Sequence, residues 1–271
     1  MGAGIAQVAA YAGFITVLFD LNTTVLEKAG KVIDQSLRQL VEKGSLTGEA
    51  AQLAFSKITF TGNISDCRAD FIVEAIVEDL SAKAALFNQL DQQNPAGTIY
   101  TTNTSSLSIS EIASKTAIGS WLAGMHFFNP AMVMKLVEII PGRQTDPAVL
   151  RSVRELALAF GKTPVISRDV PGFIVNRVAR PYYLEALRLV GNQEADFRQI
   201  DELLESTGFK MGPFRLMDLI GIDVNNAVSR IVWEALGKPL RLHPSALQQK
   251  KVDAGELGRK TGTGFYSYSH Q

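Results

Sequence analysis

His126 and Glu138 are the two residues whose types and spacing best fit a proton-transfer site. His126 lies near the end of an apolar run, 121–127, that predicts a strand, and the break Asn129-Pro130 follows it. Glu138 lies inside a second apolar run, 135–140. Two adjacent strands would bring the imidazole and the carboxylate together, so that the acid orients the ring and the ring moves the proton. This pattern predicts an enzyme.

Both residues also have plainer interpretations. A lone histidine among aromatic residues is often a buried structural residue, and Glu138 is compatible with a charge on the exposed edge of a sheet. The Asn-Pro break after His126 and the apolar neighbours of Glu138 favour a buried, functional pair.

The elements that must position this pair follow from the pattern of the whole chain. Short apolar runs alternate with helical patterns up to about residue 169, which predicts an α/β, Rossmann-type, mostly parallel sheet covered on both faces. Beyond Val170-Pro171-Gly172 only helical patterns follow, which predicts an all-helical C-terminal domain. We expect a helix from Thr23 to Lys43 capped by Thr23 or Thr24, and a helix from Phe173 to Leu189 interrupted or kinked near Pro181.

Composition narrows the class of protein. The 271 residues suffice for two domains, 46% are apolar, and Lys+Arg and Asp+Glu number 27 each. A balanced charge indicates no nucleic-acid or membrane partner, and the single cysteine, Cys67, excludes an intrachain disulfide and a cysteine-based metal site. No apolar run reaches the roughly 18 residues of a membrane span, and the N-terminus lacks the features of a secretory signal. We therefore expect a cytoplasmic protein without a bound metal.

The first twenty residues resemble the second half of a dinucleotide-binding fingerprint. Gly2 and Gly4 open a helical pattern, and Asp20 ends the strand pattern that follows. An acid at that position accepts hydrogen bonds from ribose hydroxyls and repels a 2′-phosphate, which favours NAD over NADP. Close helix packing at the glycines and a turn capped by Asp20 are the alternative interpretations. The preceding strand and the first loop glycines are absent, so we expect the natural protein to begin about a dozen residues earlier.

Six longer motifs occur in one order along the chain. They span residues 73–78, 102–107, 124–130, 134–138, 171–177 and 211–213. Through them the sequence resembles the L-3-hydroxyacyl-CoA dehydrogenases over essentially its full length. The run 176–183, NRVARPYY, most resembles bacterial 3-hydroxybutyryl-CoA and 3-hydroxyadipyl-CoA dehydrogenases.

The resemblance implies a division of labour between two domains. Residues 1–168 would form an NAD-binding Rossmann-like domain without its first strand, and residues 169–271 a helical domain that binds substrate and forms a homodimer. The implied activity is NAD-dependent oxidation of an L-3-hydroxyacyl-CoA to the 3-oxoacyl-CoA.

The resemblance also implies roles for individual residues. His126 would be the catalytic base, Glu138 would orient it, Ser105 would hydrogen-bond the substrate 3-oxygen, and Asn176 would position the histidine and the substrate. The implied cofactor contacts are Gly2, Asp20, Ala75, Glu78, Lys83, Asn103 and Lys260. Ser36 and Lys43 would approach the CoA moiety of the substrate.

Two other functions stay open at this stage. A related hydroxyacid or sugar-acid dehydrogenase would use the same scaffold, because a fold does not fix a substrate. A catalytically silent binding or structural protein is the alternative from another class, and the incomplete phosphate loop favours it.

Overall fold

A computed structural model of the chain describes residues 1–268. Its internal contacts divide the chain into two compact units, Met1–Val170 and Pro171–Gln271.

The first unit alternates helices with short strands. In chain order, its described elements are α1 (Gly2–Tyr11), β1 (Thr16–Phe19), α2 (Thr23–Glu42), α3 (Gly48–Ser56), β2 (Ile58–Thr61), β3 (Phe71–Glu74), α4 (Leu80–Asp91), β4 (Ile99–Thr102), α5 (Ile109–Ser114), β5 (Leu122–Phe127), β6 (Leu136–Pro141), α6 (Pro147–Ala159) and β7 (Thr163–Ile166).

The strands form two sheets that are parallel except at one pair. β1 pairs with β2, and the larger sheet has the order β3-β4-β5-β6-β7. Among the seven strands within residues 1–268, only β5 and β6 run antiparallel to each other. Because parallel strands end at the same edge, the carboxyl ends of β3, β4 and β5 lie side by side. The predicted α/β class with a mostly parallel sheet is confirmed.

A buried apolar cluster holds α1 and α6 against the larger sheet. It includes Ile5 and Val8 of α1, Met125 of β5, Ile139 of β6 and Val153 of α6, each at most 5% exposed. Strands β4 and β5 are buried at every position, which explains why apolar and polar residues do not alternate along them.

The second unit is helical, as predicted. Its elements are α7 (Val175–Gly191), α8 (Phe197–Ser206), α9 (Pro213–Ile220), α10 (Ile222–Ala235) and α11 (Ala246–Asp253). Aromatic and aliphatic side chains such as Tyr183, Phe214 and Phe265 form its core.

Two buried carboxylates join the helices of this unit to each other and to its last segment. Asp201 of α8 accepts hydrogen bonds from the Phe214 and Arg215 amides at the start of α9 and from the Tyr266 hydroxyl. Asp218 of α9 accepts bonds from the Phe265 and Tyr266 amides. Each carboxylate therefore satisfies backbone donors that burial would otherwise leave unpaired.

One local expectation is wrong, and a second is wrong in part. The cap of α2 is Asn22 and not a threonine, because the Asn22 side-chain oxygen accepts from the Thr24 and Val25 amides. Helix α7 is not interrupted at Pro181, whereas a kink there stays a prediction. Its buried face, which includes Tyr183 and Leu187, packs into the core of the second unit, and this packing offsets the hydrogen bond that the proline removes.

Candidate active site

His126 and Glu138 face each other directly across the antiparallel pair β5–β6. Their Cα positions are partners in the strand register, and His126 Nδ1 lies 2.8 Å from Glu138 Oε2. His126 is 6% exposed and Glu138 is 1% exposed. The Phe128 ring lies against the imidazole, with 4.6 Å between the ring centres. The sequence predicted this pair from two adjacent strand patterns, and the strand register brings the two side chains together.

This geometry fixes the chemistry that the histidine can perform. A carboxylate only accepts hydrogen bonds, so Nδ1 carries the proton of the Nδ1···Oε2 contact. In the neutral ring the lone pair then belongs to Nε2. A buried imidazole held in this tautomer is arranged to accept a proton at Nε2 and to be stabilised by Glu138 once it is protonated.

Asn103 connects the end of β4 to the end of β5. Its side-chain Oδ1 accepts a hydrogen bond of 2.8 Å from the backbone amide of Phe127, next to His126. Its backbone N–H donates to the Glu74 carbonyl. The residue matched to the cofactor cleft thus also holds three strand ends in register. Ser105 follows two residues later and is partly buried.

A buried charge pair lies below these strand ends. Lys83 of α4 donates to Glu74 Oε1 at 2.7 Å, and both side chains are at most 1% exposed. Glu74 also accepts from the Ile76 amide and from the Thr102 hydroxyl, both at 2.6 Å. The resemblance named Lys83 but not Glu74. The signal available in the sequence was an acid at the end of a run of apolar residues, because a buried carboxylate needs a charged or hydrogen-bonding partner.

Glu78 lies on the outer side of the same lysine, with its Oε2 atom 3.4 Å from Lys83 Nζ. Burial alone would raise the pKa of this carboxyl group. Hydrogen bonds from the Thr104 and Ser106 side chains, the Lys83 charge and the Ser105 amide together outweigh that effect, so the pKa of Glu78 is lowered. Glu78 is consequently an ionised acceptor, and about a third of its side chain (34%) remains exposed.

The remaining cofactor candidates of this unit lie at the ends of β1 and β3 and at the start of α1. Asp20 follows β1, and its Oδ1 accepts a hydrogen bond from the Asn22 amide at 2.8 Å. One of its two carboxylate oxygens therefore caps the turn, as the alternative interpretation expected. A Cβ atom added to Gly2 would come no closer than 3.9 Å to the side chains of Ala75 and Leu18. Packing within the protein therefore does not require glycine at position 2.

Gly4 differs from Gly2 in this respect. A Cβ atom there would lie 3.2 Å from the Ala131 side chain, in the loop that follows His126. The same loop is held by Lys162, whose buried ammonium group donates to the Ala131 and Met134 carbonyls at 2.5 Å and 3.0 Å. Burial lowers the pKa of Lys162. Sequence patterns gave no indication of this anchor.

The two CoA candidates lie along α2. Ser36 accepts a 2.9 Å hydrogen bond from Gln7 of α1, and Lys43 is the exposed C-cap residue. Seven residues correspond to about two turns, so both positions fall on one side of the helix.

Two candidates belong to the second unit. Asn176 lies in the first turn of α7, where its carbonyl accepts from Arg180 Nε at 2.9 Å. Lys260 forms a bidentate ion pair with Asp223 at 2.6 Å and 2.7 Å, and both side chains are partly exposed.

The site contains no arrangement of metal ligands. Within residues 1–268, no three His, Cys, Asp or Glu side chains are grouped so that they could bind an ion. Over the same range, no helix combines the length and the apolar character needed to span a bilayer.

Family models match both units of the chain. Residues 1–170 match the NAD binding domain of 3-hydroxyacyl-CoA dehydrogenase, and residues 172–268 match its C-terminal domain. The chain belongs to the 3-hydroxyacyl-CoA dehydrogenase family. The resemblance inferred from the motifs is thereby confirmed, and NAD is the cofactor of the family domain that covers the first unit.

Individual relatives in this dehydrogenase family support the same assignment. The chain is 45% identical over 270 residues to a 3-hydroxyadipyl-CoA dehydrogenase of Escherichia coli K12, a match that covers 99% of this chain but 57% of the relative. It is 41% identical to a probable 3-hydroxybutyryl-CoA dehydrogenase of Deinococcus radiodurans, covering 99% of this chain and 96% of the relative.

A solved dehydrogenase structure shows the same fold. The crystal structure of a 3-hydroxybutyryl-CoA dehydrogenase from Escherichia coli K12 is 44% identical and superposes with a TM-score of 0.95, covering all of this chain and 58% of that one. The chain thus spans little more than half the length of its Escherichia coli relatives.

Proposed function

We propose that this protein oxidises L-3-hydroxyacyl-CoA thioesters to 3-oxoacyl-CoA with NAD. The observation that carries the proposal is the buried His126–Glu138 pair, at 2.8 Å, beside the carboxyl ends of parallel strands. Ligands of open α/β sheets bind at that edge. The NAD binding family domain over residues 1–170 supports the choice of cofactor.

The residues of the chain account for the proton in this reaction. Oxidation removes a hydride from C3 and a proton from the hydroxyl group, and a carbonyl forms between the same two atoms. Bound NAD would supply the hydride acceptor. His126 Nε2 takes the proton, and Glu138 stabilises the imidazolium that results. Orienting the donor and the acceptor contributes roughly 7–11 kcal/mol in favourable intramolecular systems.

Polar side chains stabilise the oxygen as the carbonyl forms. Ser105 would donate to the substrate 3-oxygen, and Asn176 would position the thioester and the histidine. Ser36 and Lys43 would contact the CoA moiety, for which their placement along one side of α2 supplies a hydroxyl group and a positive charge.

The residues at the strand ends support the choice of NAD as cofactor. Asp20 and Glu78 offer carboxylate oxygens to hydroxyl groups, Asn103 and Ala75 line the ends of β4 and β3, and Gly2 leaves space at the start of α1. Lys83 supports Glu78. Lys260 is ion-paired with Asp223, so it would contact the cofactor while it also keeps this ion pair.

Measurement of NADH formation tests the proposal. Turnover of 3-hydroxybutyryl-CoA or 3-hydroxyadipyl-CoA, with none of free 3-hydroxybutyrate, is the expected result. The ratio between the two thioesters defines the preferred acyl chain. Turnover of free hydroxy acids alone would instead favour a hydroxyacid or sugar-acid dehydrogenase. If the folded protein oxidises none of these compounds, the silent binding or structural role would replace the enzymatic one.

We also propose that the helical unit forms a homodimer. Several apolar side chains are exposed on it, including Val178 at 71%, Leu203 at 63% and Leu240 at 87%. Apolar groups of this size are stabilised when a second copy covers them. A cytoplasmic location stays a prediction from the sequence.

A further inference from the structure

One carboxylate oxygen accepts several hydrogen bonds from the segment that contains Ser105. Oε1 of Glu78 accepts from the Thr104 hydroxyl at 2.6 Å, from the Ser105 amide at 3.0 Å and from the Ser106 amide at 3.1 Å. The Ser106 hydroxyl adds a fourth bond of 2.8 Å. These contacts join residue 78, which follows β3, to residues that follow β4, more than 25 positions away in sequence.

The Ser105 hydroxyl is the weakest member of this group. Its oxygen lies 3.5 Å from Oε1, at the limit of hydrogen bonding, whereas the Ser105 amide bond is well formed. Glu78 therefore fixes the main chain of Ser105 and leaves its hydroxyl available for a substrate oxygen.

The Glu78 carboxylate is itself held from the other side. Its second oxygen lies 3.4 Å from Lys83 Nζ, and Lys83 is anchored to Glu74 at 2.7 Å. Glu74 is tied to β4 through the Thr102 hydroxyl. The position of Glu78 is thus set by two neighbouring strands and not by its own exposed segment. Glutamine at position 78 cannot satisfy both sides of this arrangement. One side needs an oxygen that accepts from four donors, and the other side faces the Lys83 ammonium group, where an NH2 group would be repelled.

We propose that Glu78 is a positioning residue for Ser105, which sets the hydroxyl that meets the substrate 3-oxygen, in addition to facing the cofactor. The role rests on the proposed function, because it concerns the 3-hydroxyl of an acyl-CoA.

A double-mutant cycle separates this role from a cofactor role alone. The kcat/KM for 3-hydroxybutyryl-CoA is measured at saturating NAD for the wild type, Glu78→Gln, Ser105→Ala and the double variant. We expect Glu78→Gln to lower kcat/KM about 10- to 100-fold in the wild-type background, the usual range for a hydrogen bond to a charged group. In the Ser105→Ala background the same change should cost about twofold or less, because there is no hydroxyl left to misplace. Equal losses in both backgrounds would overturn the proposal.

Ser106→Ala is a second probe that leaves the carboxylate in place. It removes one donor to Glu78 and belongs to neither ligand site, so it should lower kcat/KM several-fold while the Kd for NAD is unchanged. Ser114→Ala, at an exposed serine of α5, is the matched control and should alter neither quantity. A Ser106 variant as active as this control would count against the proposal.

Hydrogen exchange tests the same contact without turnover. The Ser105 and Ser106 amides should exchange faster in folded Glu78→Gln than in the wild type, while amides of α6 are unchanged. If the wild type oxidises no acyl-CoA, the proposed function fails, yet the exchange measurement still decides whether Glu78 holds this segment. Unchanged exchange in Glu78→Gln would refute the positioning role.

Discussion

His126 lies opposite Glu138 on neighbouring strands, while none of the candidate cofactor contacts lies on β5 or β6. We therefore expect His126→Ala to lower kcat by about 10²–10⁴-fold, the range for a lost general base, and to leave the Kd for NAD nearly unchanged. Steady-state kinetics and a binding titration with NAD check the two effects. A comparable loss of NAD affinity would show that the histidine acts on the dinucleotide.

Asp20 allows a cleaner separation of charge from structure. Asp20→Asn retains an oxygen for the Asn22 amide and so preserves the turn, but it removes the negative charge. We expect the Kd for NAD to rise about 10- to 100-fold, because a charged acceptor is lost, and the preference for NAD over NADP to narrow. Isothermal titration with both dinucleotides measures this. Asn22→Ala is the control for a local structural defect, because it removes the side-chain cap of α2 but keeps the backbone amide that donates to Asp20. If Asn22→Ala weakens NAD binding as much as Asp20→Asn does, the local structure at the start of α2 and not the charge of Asp20 accounts for the affinity.

Glu78 also predicts a pH dependence of stability. Its pKa is lowered in the folded protein, so its contribution to the free energy of unfolding is present above the pKa of an unfolded glutamate, about 4.3, and is lost as pH falls through the lower folded value. The difference in stability between wild type and Glu78→Gln should therefore shrink as pH falls below about 4. Denaturant unfolding at several pH values measures it, and a difference that grows toward acid would contradict the assignment.

At the scale of elements, the buried carboxylate of Asp218 requires a glycine beside it. A Cβ atom on Gly264 would lie 2.2 Å from Asp218 Oδ1 and 2.7 Å from the Gly258 Cα. We expect Gly264→Ala to destabilise the protein by about 1–3 kcal/mol, as overpacking of a core does. Gly191→Ala is the matched control, since nothing lies within 4 Å of its added carbon at the end of α7, and it should be neutral or stabilising by up to about 1 kcal/mol. Thermal unfolding measures the stability of both variants. Equal destabilisation of the two would contradict a steric requirement for glycine at position 264.

The elements also show which features sequence reasoning can reach. The pairing of His126 with Glu138 was predictable, because two strand patterns separated by a short break fix neighbouring partners. The hydrogen bonds from the Ser105 and Ser106 amides to Glu78 were not predictable, because they depend on how two segments that are distant in sequence meet at one sheet edge. The continuation of α7 through Pro181 was likewise decided by tertiary packing against a local preference.

For the whole molecule, the exposed apolar side chains of the helical unit predict association. Sedimentation equilibrium should give the mass of a dimer, and Val178→Asp should shift the equilibrium toward the monomer. Leu53→Asp, at a similarly exposed leucine (59%) in the first unit, is the control and should leave the dimer intact. A monomeric wild type would refute the homodimer.

The small space between Gly4 and Ala131 has a consequence for anyone who wishes to redesign the cofactor specificity of this protein. A Cβ atom on Gly4, in the helix that would face the dinucleotide, would lie 3.2 Å from Ala131 in the loop that follows His126. Lys162 holds that loop through the Ala131 and Met134 carbonyls. A bulkier residue at position 4 would therefore press on the loop that follows His126 and displace the imidazole. We expect a variant with an altered cofactor preference from a change at this position to have a slower chemical step. Libraries aimed at the dinucleotide should vary Asp20 and keep Gly4 fixed.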